Sequence, residues 1–68
     1  MRVSARNVLK GRIVEIKKGA TTSHVRIEVG GSIITASITN ESVDDLKLSV
    51  DKDAYAVIKA SDVLVGID

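Results

Sequence analysis

Two glycines, Gly30-Gly31, join two runs in which apolar and polar residues alternate, and this joint constrains the fold more than any other stretch. Upstream, Val25, Ile27 and Val29 alternate with His24, Arg26 and Glu28. Downstream, in Ser32 to Thr39, Ile34, Ala36 and Ile38 share one face and Ile33, Thr35 and Ser37 the other. Successive side chains of a strand point to opposite faces. A Gly-Gly pair supplies the positive φ values of a two-residue hairpin turn. The chain therefore contains an antiparallel hairpin with one apolar face.

The rest of the chain reads as more of the same. Ten Val and eight Ile make it rich in β-branched residues, which favour strands. Met1 to Asn7 alternates strictly and predicts a short strand. Val8 to Lys18 predicts a second run, continuous with the first or separate from it, with a bulge or bend at Gly11. Gly19-Ala20-Thr21-Thr22-Ser23 is a turn-rich loop. Asn40 to Leu48 changes character: Val43 and Leu46 stand at helical spacing, Thr39 or Asn40 is placed to cap, and Glu41, Asp44 and Asp45 suit the first turns of a short helix. After a polar turn at Val50 to Asp53, Ala54 to Ala60 and Asp62 to Ile67 predict the last strands, with Ser61 between them. The order is β-β-β-α-β-β in a single domain spanning residues 1–68. A mainly β fold, a small five-stranded Greek-key barrel of the OB type with one short helix, fits that order; an SH3-like barrel is the structural alternative.

Size limits what such a barrel achieves alone. A chain of 68 residues buries only about 60% of its unfolded surface. Disulfides, a metal or oligomerisation usually reinforce domains of this size. There is no Cys, Phe or Trp, a single His and a single Tyr, Tyr55. Disulfides and thiolate metal sites are thereby excluded, and composition favours a homo-oligomer. A net charge of +1 gives no basic surface for nucleic acid or membrane. No apolar run is long enough to span a bilayer, and no signal core opens the chain, so a cytoplasmic protein is expected. One His, no Cys and no recognisable nucleophile–base pair argue against an enzyme. The carboxylates Asp44, Asp45, Asp51 and Asp53 lack a calcium-loop pattern.

Two short stretches carry the most chemistry. Ser4 and Arg6 are two residues apart, so in an extended strand they project from one face. Lys59 and Ser61 repeat the spacing. Arg offers five donors and Lys three, neither offers an acceptor, and each Ser hydroxyl donates. No carboxylate stands between the members of either pair. Such a pocket suits a small, fully deprotonated oxyanion and suits acid–base catalysis poorly. Read from spacing alone, such pairs are more often the solvated polar face of an edge strand than a site.

Four motifs in this order, Ser-Ala-Arg-Asn at 4–7, Gly-Ala-Thr-Thr-Ser-His-Val at 19–25, Ile-Thr-Asn-Glu-Ser-Val at 38–43 and Ile-Lys-Ala-Ser-Asp-Val at 58–63, resemble those of the molbindin (Mop-type) molybdate-binding proteins across essentially the whole chain. The resemblance implies an OB-like barrel whose N-terminal strand is exchanged with a neighbouring chain, in a hexamer built as a trimer of dimers. It implies molybdate or tungstate as bound ligand, with no organic cofactor, held for storage or buffering of molybdenum. It implies an inter-chain site of Ser4, Arg6, Asn7, Thr39, Lys59, Ala60 and Ser61, to which Asn7, Ala60 and Ser61 contribute backbone N–H groups. It also implies a second site near a three-fold axis, in which the loop residues Lys18, Gly19 and Ala20 take part. His24 reads as a strand-surface residue and Tyr55 as barrel core or interface. The rival functions are an OB-type single-strand nucleic-acid binder, disfavoured by one aromatic residue and little charge, and a purely structural oligomerisation module.

Overall fold

The computed structural model describes residues 1–68. Four strands and one short helix form: β1 (Asn7–Lys18), β2 (Thr22–Val29), β3 (Ser32–Thr39), α1 (Asn40–Asp45) and β4 (Asp53–Ile58). A 3-10 turn follows at Ala60–Asp62. The strands make one antiparallel sheet in the order β3-β2-β1-β4. The predicted hairpin is present: Val29 faces Ser32, and Gly30 and Gly31 take φ values of +54° and +86°.

The long β1 serves two partners. Its first half, Asn7 to Arg12, pairs with β4, and its second half, Arg12 to Lys18, pairs with β2. The strand must coil to do this. A break in register between Ile13 and Glu15 sets Val14 out of the ladder, and a bulge of this kind increases twist. Gly11 has a different task from the bulge assigned to it by pattern. A Cβ there would run into the Glu28 carbonyl oxygen and meet the Ile27 and Val29 methyls at 2.8 Å. The end of β2 packs directly on the β1 backbone at that point.

The core is small. Ile13, Val25, Ile27, Val43 and Ala56 are buried, with Ser23 the one buried polar residue. Val43 brings the inner side of α1 onto the sheet, and Ile16, Val29, Ile34, Ile38, Leu48 and Ala54 pack around this nucleus. The faces assigned by alternation hold: Val25 and Ile27 point in, while His24, Arg26 and Glu28 are exposed.

Thr39 caps α1, accepting a hydrogen bond from the Ser42 N–H at 3.0 Å. Asn40 is therefore the first helical residue and its side chain is free for another task. Tyr55 is 50% exposed, so it is no core residue: it borders an open apolar groove.

The chain alone forms four strands where five were expected. Residues 1–6 make no backbone ladder, so the extended run begins only at Asn7. At the other end, the 3-10 turn, closed by bonds from the Asp62 and Val63 N–H groups to the Lys59 and Ala60 carbonyls, redirects the chain off the β4 edge. The expected strand at Asp62 to Ile67 then has no partner, and Leu64, Val65 and Ile67 are 92–94% exposed. An apolar groove of about 730 Å³, bordered by Ile34, Ile38, Leu46, Ala54 and Val57, is left open between β3 and β4. No helix is long and apolar enough to cross a membrane.

Candidate functional site

The β1–β4 ladder gathers the two cation–hydroxyl pairs at one end of the molecule. Its last rung joins Asn7 to Ile58, and the Asn7 Nδ2 donates to the Ile58 carbonyl at 3.3 Å. Arg6 and Lys59 each lie one residue beyond that rung. Ser4, Arg6, Lys59, Ala60 and Ser61 are all exposed. Neither Arg6 nor Lys59 takes part in any of the four ion pairs, which join Lys10 to Asp53, Arg12 to Asp51, Lys18 to Asp44 and Arg26 to Glu15. The cations at this end are thus uncompensated. The start of the 3-10 turn adds donors: the N–H groups of Ala60 and Ser61 bond to no carbonyl of the chain, as the first N–H groups of any helical turn do not.

Thr39 is elsewhere. It pairs with Thr22 at the β2–β3 end of the sheet, next to the loop that follows Lys18. Asn7 and Lys18 are the two ends of a 12-residue strand, a span of up to about 36 Å at 3.3 Å per residue, less what the bend takes up. Within one chain Thr39 thus stands at the Lys18 end of β1, while Ser4, Arg6, Asn7, Lys59, Ala60 and Ser61 gather at the Asn7 end. Thr39 also spends its hydroxyl on the helix, donating to the Ser42 Oγ at 2.8 Å.

In the Lys18–Gly19–Ala20 segment two of the donors are already engaged within the chain. Lys18 is engaged, its Nζ lying 3.2 Å from the Asp44 carboxylate of α1. The Gly19 N–H donates to the Thr22 carbonyl at 2.7 Å, which closes the loop and removes that donor. Only the Ala20 N–H remains without a backbone partner. The loop is held from beneath by Asn40. Its Nδ2 donates to the carbonyls of Gly19 at 3.0 Å and Ala20 at 3.4 Å, and its Oδ1 accepts from the buried Ser23 hydroxyl. Its own N–H donates to the Thr21 carbonyl at 2.9 Å. Three loop carbonyls are thereby turned toward α1.

Beside this loop lies a polar pocket of about 170 Å³ bordered by Lys17, Lys18, Gly19, Thr22 and His24. Lys17, Thr22 and His24 were not singled out as a group by sequence reasoning. The signal existed: a short loop after Lys18 sets Lys17 opposite His24, and alternation puts Thr22 on the same face.

Comparison with known proteins gives this geometry a family. The TOBE domain family matches residues 3–65. The chain is 42% identical over the full length of both chains to a probable molybdenum-pterin-binding protein of Haemophilus influenzae. Among solved structures, a molybdate-binding protein from Sporomusa ovata superposes with a TM-score of 0.93 at 33% identity, over 98% of this chain and all of that one. The cytoplasmic molybdate-binding protein ModG, solved with molybdate bound, gives a TM-score of 0.94 at 42% identity, over all of this chain and 49% of that one. A family match across nearly the whole sequence and full-length relatives at this identity lead to one conclusion: the chain belongs to the TOBE-domain family of molybdenum-pterin-binding (Mop, molbindin) proteins.

Proposed function

We propose that this protein binds molybdate at the junction between chains and serves to store or buffer molybdenum, a binding role and not a catalytic one. The observation that carries the reading is the uncompensated donor cluster at the β1–β4 end: Ser4, Arg6, Asn7, Lys59, Ala60 and Ser61, with no carboxylate paired to either cation. Molybdate is a tetrahedral dianion whose oxygens only accept hydrogen bonds, and a cluster of donors alone matches it. A protonated phosphate must also donate, and in such a pocket its proton goes unpaired, at a cost of about 1–3 kcal/mol. Tungstate has the same shape and charge and binds the same way. Sulfate is also a dianion, so its rejection falls to pocket size.

The site is shared. In our reading the Ser4–Asn7 segment of one chain faces the Lys59–Ser61 segment of another, and Thr39 reaches the anion from a chain other than the one that supplies Arg6. The open groove and the unpaired terminal segments support the same assembly. Residues 1–6 and 64–68 form no backbone bonds within the chain. Exchanged onto a neighbour, they supply the missing fifth strand and cover the apolar groove, and a hexamer built as a trimer of dimers closes the set. No organic cofactor enters the account, and the setting we propose is the cytoplasm.

The test is equilibrium dialysis against molybdate, with sulfate and an unstructured single-stranded oligonucleotide as controls. Molybdate retention with neither control retained is expected. Retention of the oligonucleotide and not of molybdate would replace this reading with a nucleic-acid binder.

A further inference from the structure

We infer that Asn40 is a positioning residue for the shared molybdate site: it sets the place from which Thr39, the residue before it, offers its hydroxyl to the anion. This rests on the reading in which Thr39 faces the anion, and it adds a residue that itself touches no ligand.

Asn40 is tied down through both its backbone and its side chain. Its N–H donates to the Thr21 carbonyl at 2.9 Å, one step past the Thr22–Thr39 pair at the end of the β2–β3 ladder. Its Nδ2 engages the carbonyls of Gly19 at 3.0 Å and Ala20 at 3.4 Å. Its Oδ1 accepts from the Ser23 hydroxyl. A short amide has the two donors and the acceptor that this place needs. Turned the other way, its oxygen would face two carbonyl oxygens, so the network fixes its orientation. Aspartate has no donor for those carbonyls. Thr39 in turn is bound to α1, because its Oγ1 accepts from the Ser42 N–H at 3.0 Å. The direction of the Thr39 hydroxyl therefore follows the first turn of α1, and Asn40 locks that turn to the loop before β2.

Stability alone does not account for this pair. Ser23 is fully buried and is the one polar residue in a core of five apolar ones. Replacing both partners of a buried hydrogen bond by apolar groups is close to neutral for folding. An apolar pair would therefore serve this small core as well. A satisfied polar pair adds one defined arrangement in place of several. Here that arrangement is imposed on the helical residue that adjoins Thr39. Groups that contact a ligand need placement to within about 0.5 Å, and neighbours that lock them supply it. Thr39 is exposed, so packing does not supply it.

The experiment is molybdate titration calorimetry of the intact assembly, with urea unfolding of the same samples. Parent protein is compared with Asn40→Ala, Ser23→Ala/Asn40→Ala, Thr39→Val, Thr39→Val/Asn40→Ala and Arg6→Ala. Asn40→Ala is expected to be less stable and to bind roughly ten-fold more weakly. Ser23→Ala/Asn40→Ala regains most of the stability and none of the affinity, and it carries the test if the single variant fails to fold. In the Thr39→Val background, Asn40→Ala costs less than about two-fold further, because the residue it positions has already lost its hydroxyl. Affinity that returns together with stability in Ser23→Ala/Asn40→Ala would overturn the proposal and leave Asn40 a clamp for folding only. Losses from Thr39→Val and Asn40→Ala that multiply would overturn it as well. Parental affinity in Thr39→Val, with Arg6→Ala still weakened, would take Thr39 out of the site and this role with it, leaving the Arg6 cluster in place. A parent that binds no molybdate would instead overturn the binding reading as a whole.

Discussion

The Asn7 side chain bonds the Ile58 carbonyl at 3.3 Å across the last rung of the β1–β4 ladder. That contact fixes the register at which Arg6 and Lys59 leave the sheet. Residues 51 positions apart are thereby held side by side, and Arg6 and Lys59, neither of them in an ion pair, each lie one residue beyond that rung.

Arg6→Ala therefore weakens molybdate binding and leaves the fold intact. Hydrogen bonds to charged groups contribute about 1.5–3 kcal/mol, which is roughly a 10- to 150-fold loss of affinity. Arg6→Lys recovers the charge without the planar fork and restores part of that loss. Calorimetry at neutral pH reads both variants. Parental affinity in Arg6→Ala would remove this residue from the site.

Gly11 is the tightest point of the fold. Any side chain there pushes against the Glu28 backbone, which has no flexible end to give way. Gly11→Ala should destabilise by about 1–3 kcal/mol or more, the range of overpacking, seen as a lower midpoint in urea. An unchanged midpoint would mean that the Glu28 backbone leaves room for a side chain at Gly11.

Asn40 joins the loop, the buried Ser23 and α1. Asn40→Ala strands the Ser23 hydroxyl and frees two carbonyls, and leaving such groups unsatisfied costs about 1–3 kcal/mol. Ser23→Ala in the same background should cost less than it does alone, because its partner is already gone. Strict additivity of the two in denaturant unfolding would contradict a shared network.

The exposed apolar tail tests the assembly. Val65 is 92% exposed in the single chain, so Val65→Asp has no reason to harm an isolated monomer. In the proposed assembly it places a charge against an apolar groove, and light scattering should show loss of the large species. A parental mass for Val65→Asp would free the tail of any role at the interface.

Much of this molecule was legible in its sequence, for identifiable reasons. The β2–β3 hairpin was plain because Gly30-Gly31 and strict alternation agree. The short helix was plain because Val43 and Leu46 stand at helical spacing behind a residue placed to cap. Alternation also placed Val3 and Val65 in strands. It reports which faces are apolar and not whether a partner strand is present in the same chain, so the termini were read as strands that the single chain does not form. The pairing of Lys18 with Asp44 and the bond from the Gly19 N–H to the Thr22 carbonyl were closed to sequence, since the first depends on how α1 folds back over the loop and the second on how the loop closes on itself. The grouping of Ser4 and Arg6 with Lys59 and Ser61 was suggested by chemistry, and the β1–β4 ladder leads both segments to one end of the sheet. That Lys17 stands opposite His24 was not legible, because a cation and an imidazole on an exposed face have no sequence signature until the register sets them across from each other.

The central claim is that chains assemble to hold molybdate where Arg6, Lys59 and Thr39 converge. Native mass spectrometry of the purified protein, alone and with molybdate or sulfate, tests it most directly. The account predicts a closed oligomer, hexameric in mass, that gains several molybdates and no sulfate. A monomer that gains molybdate would contradict the shared site, and a closed oligomer that gains none would reduce the terminal cation–hydroxyl pairs to an exposed polar surface.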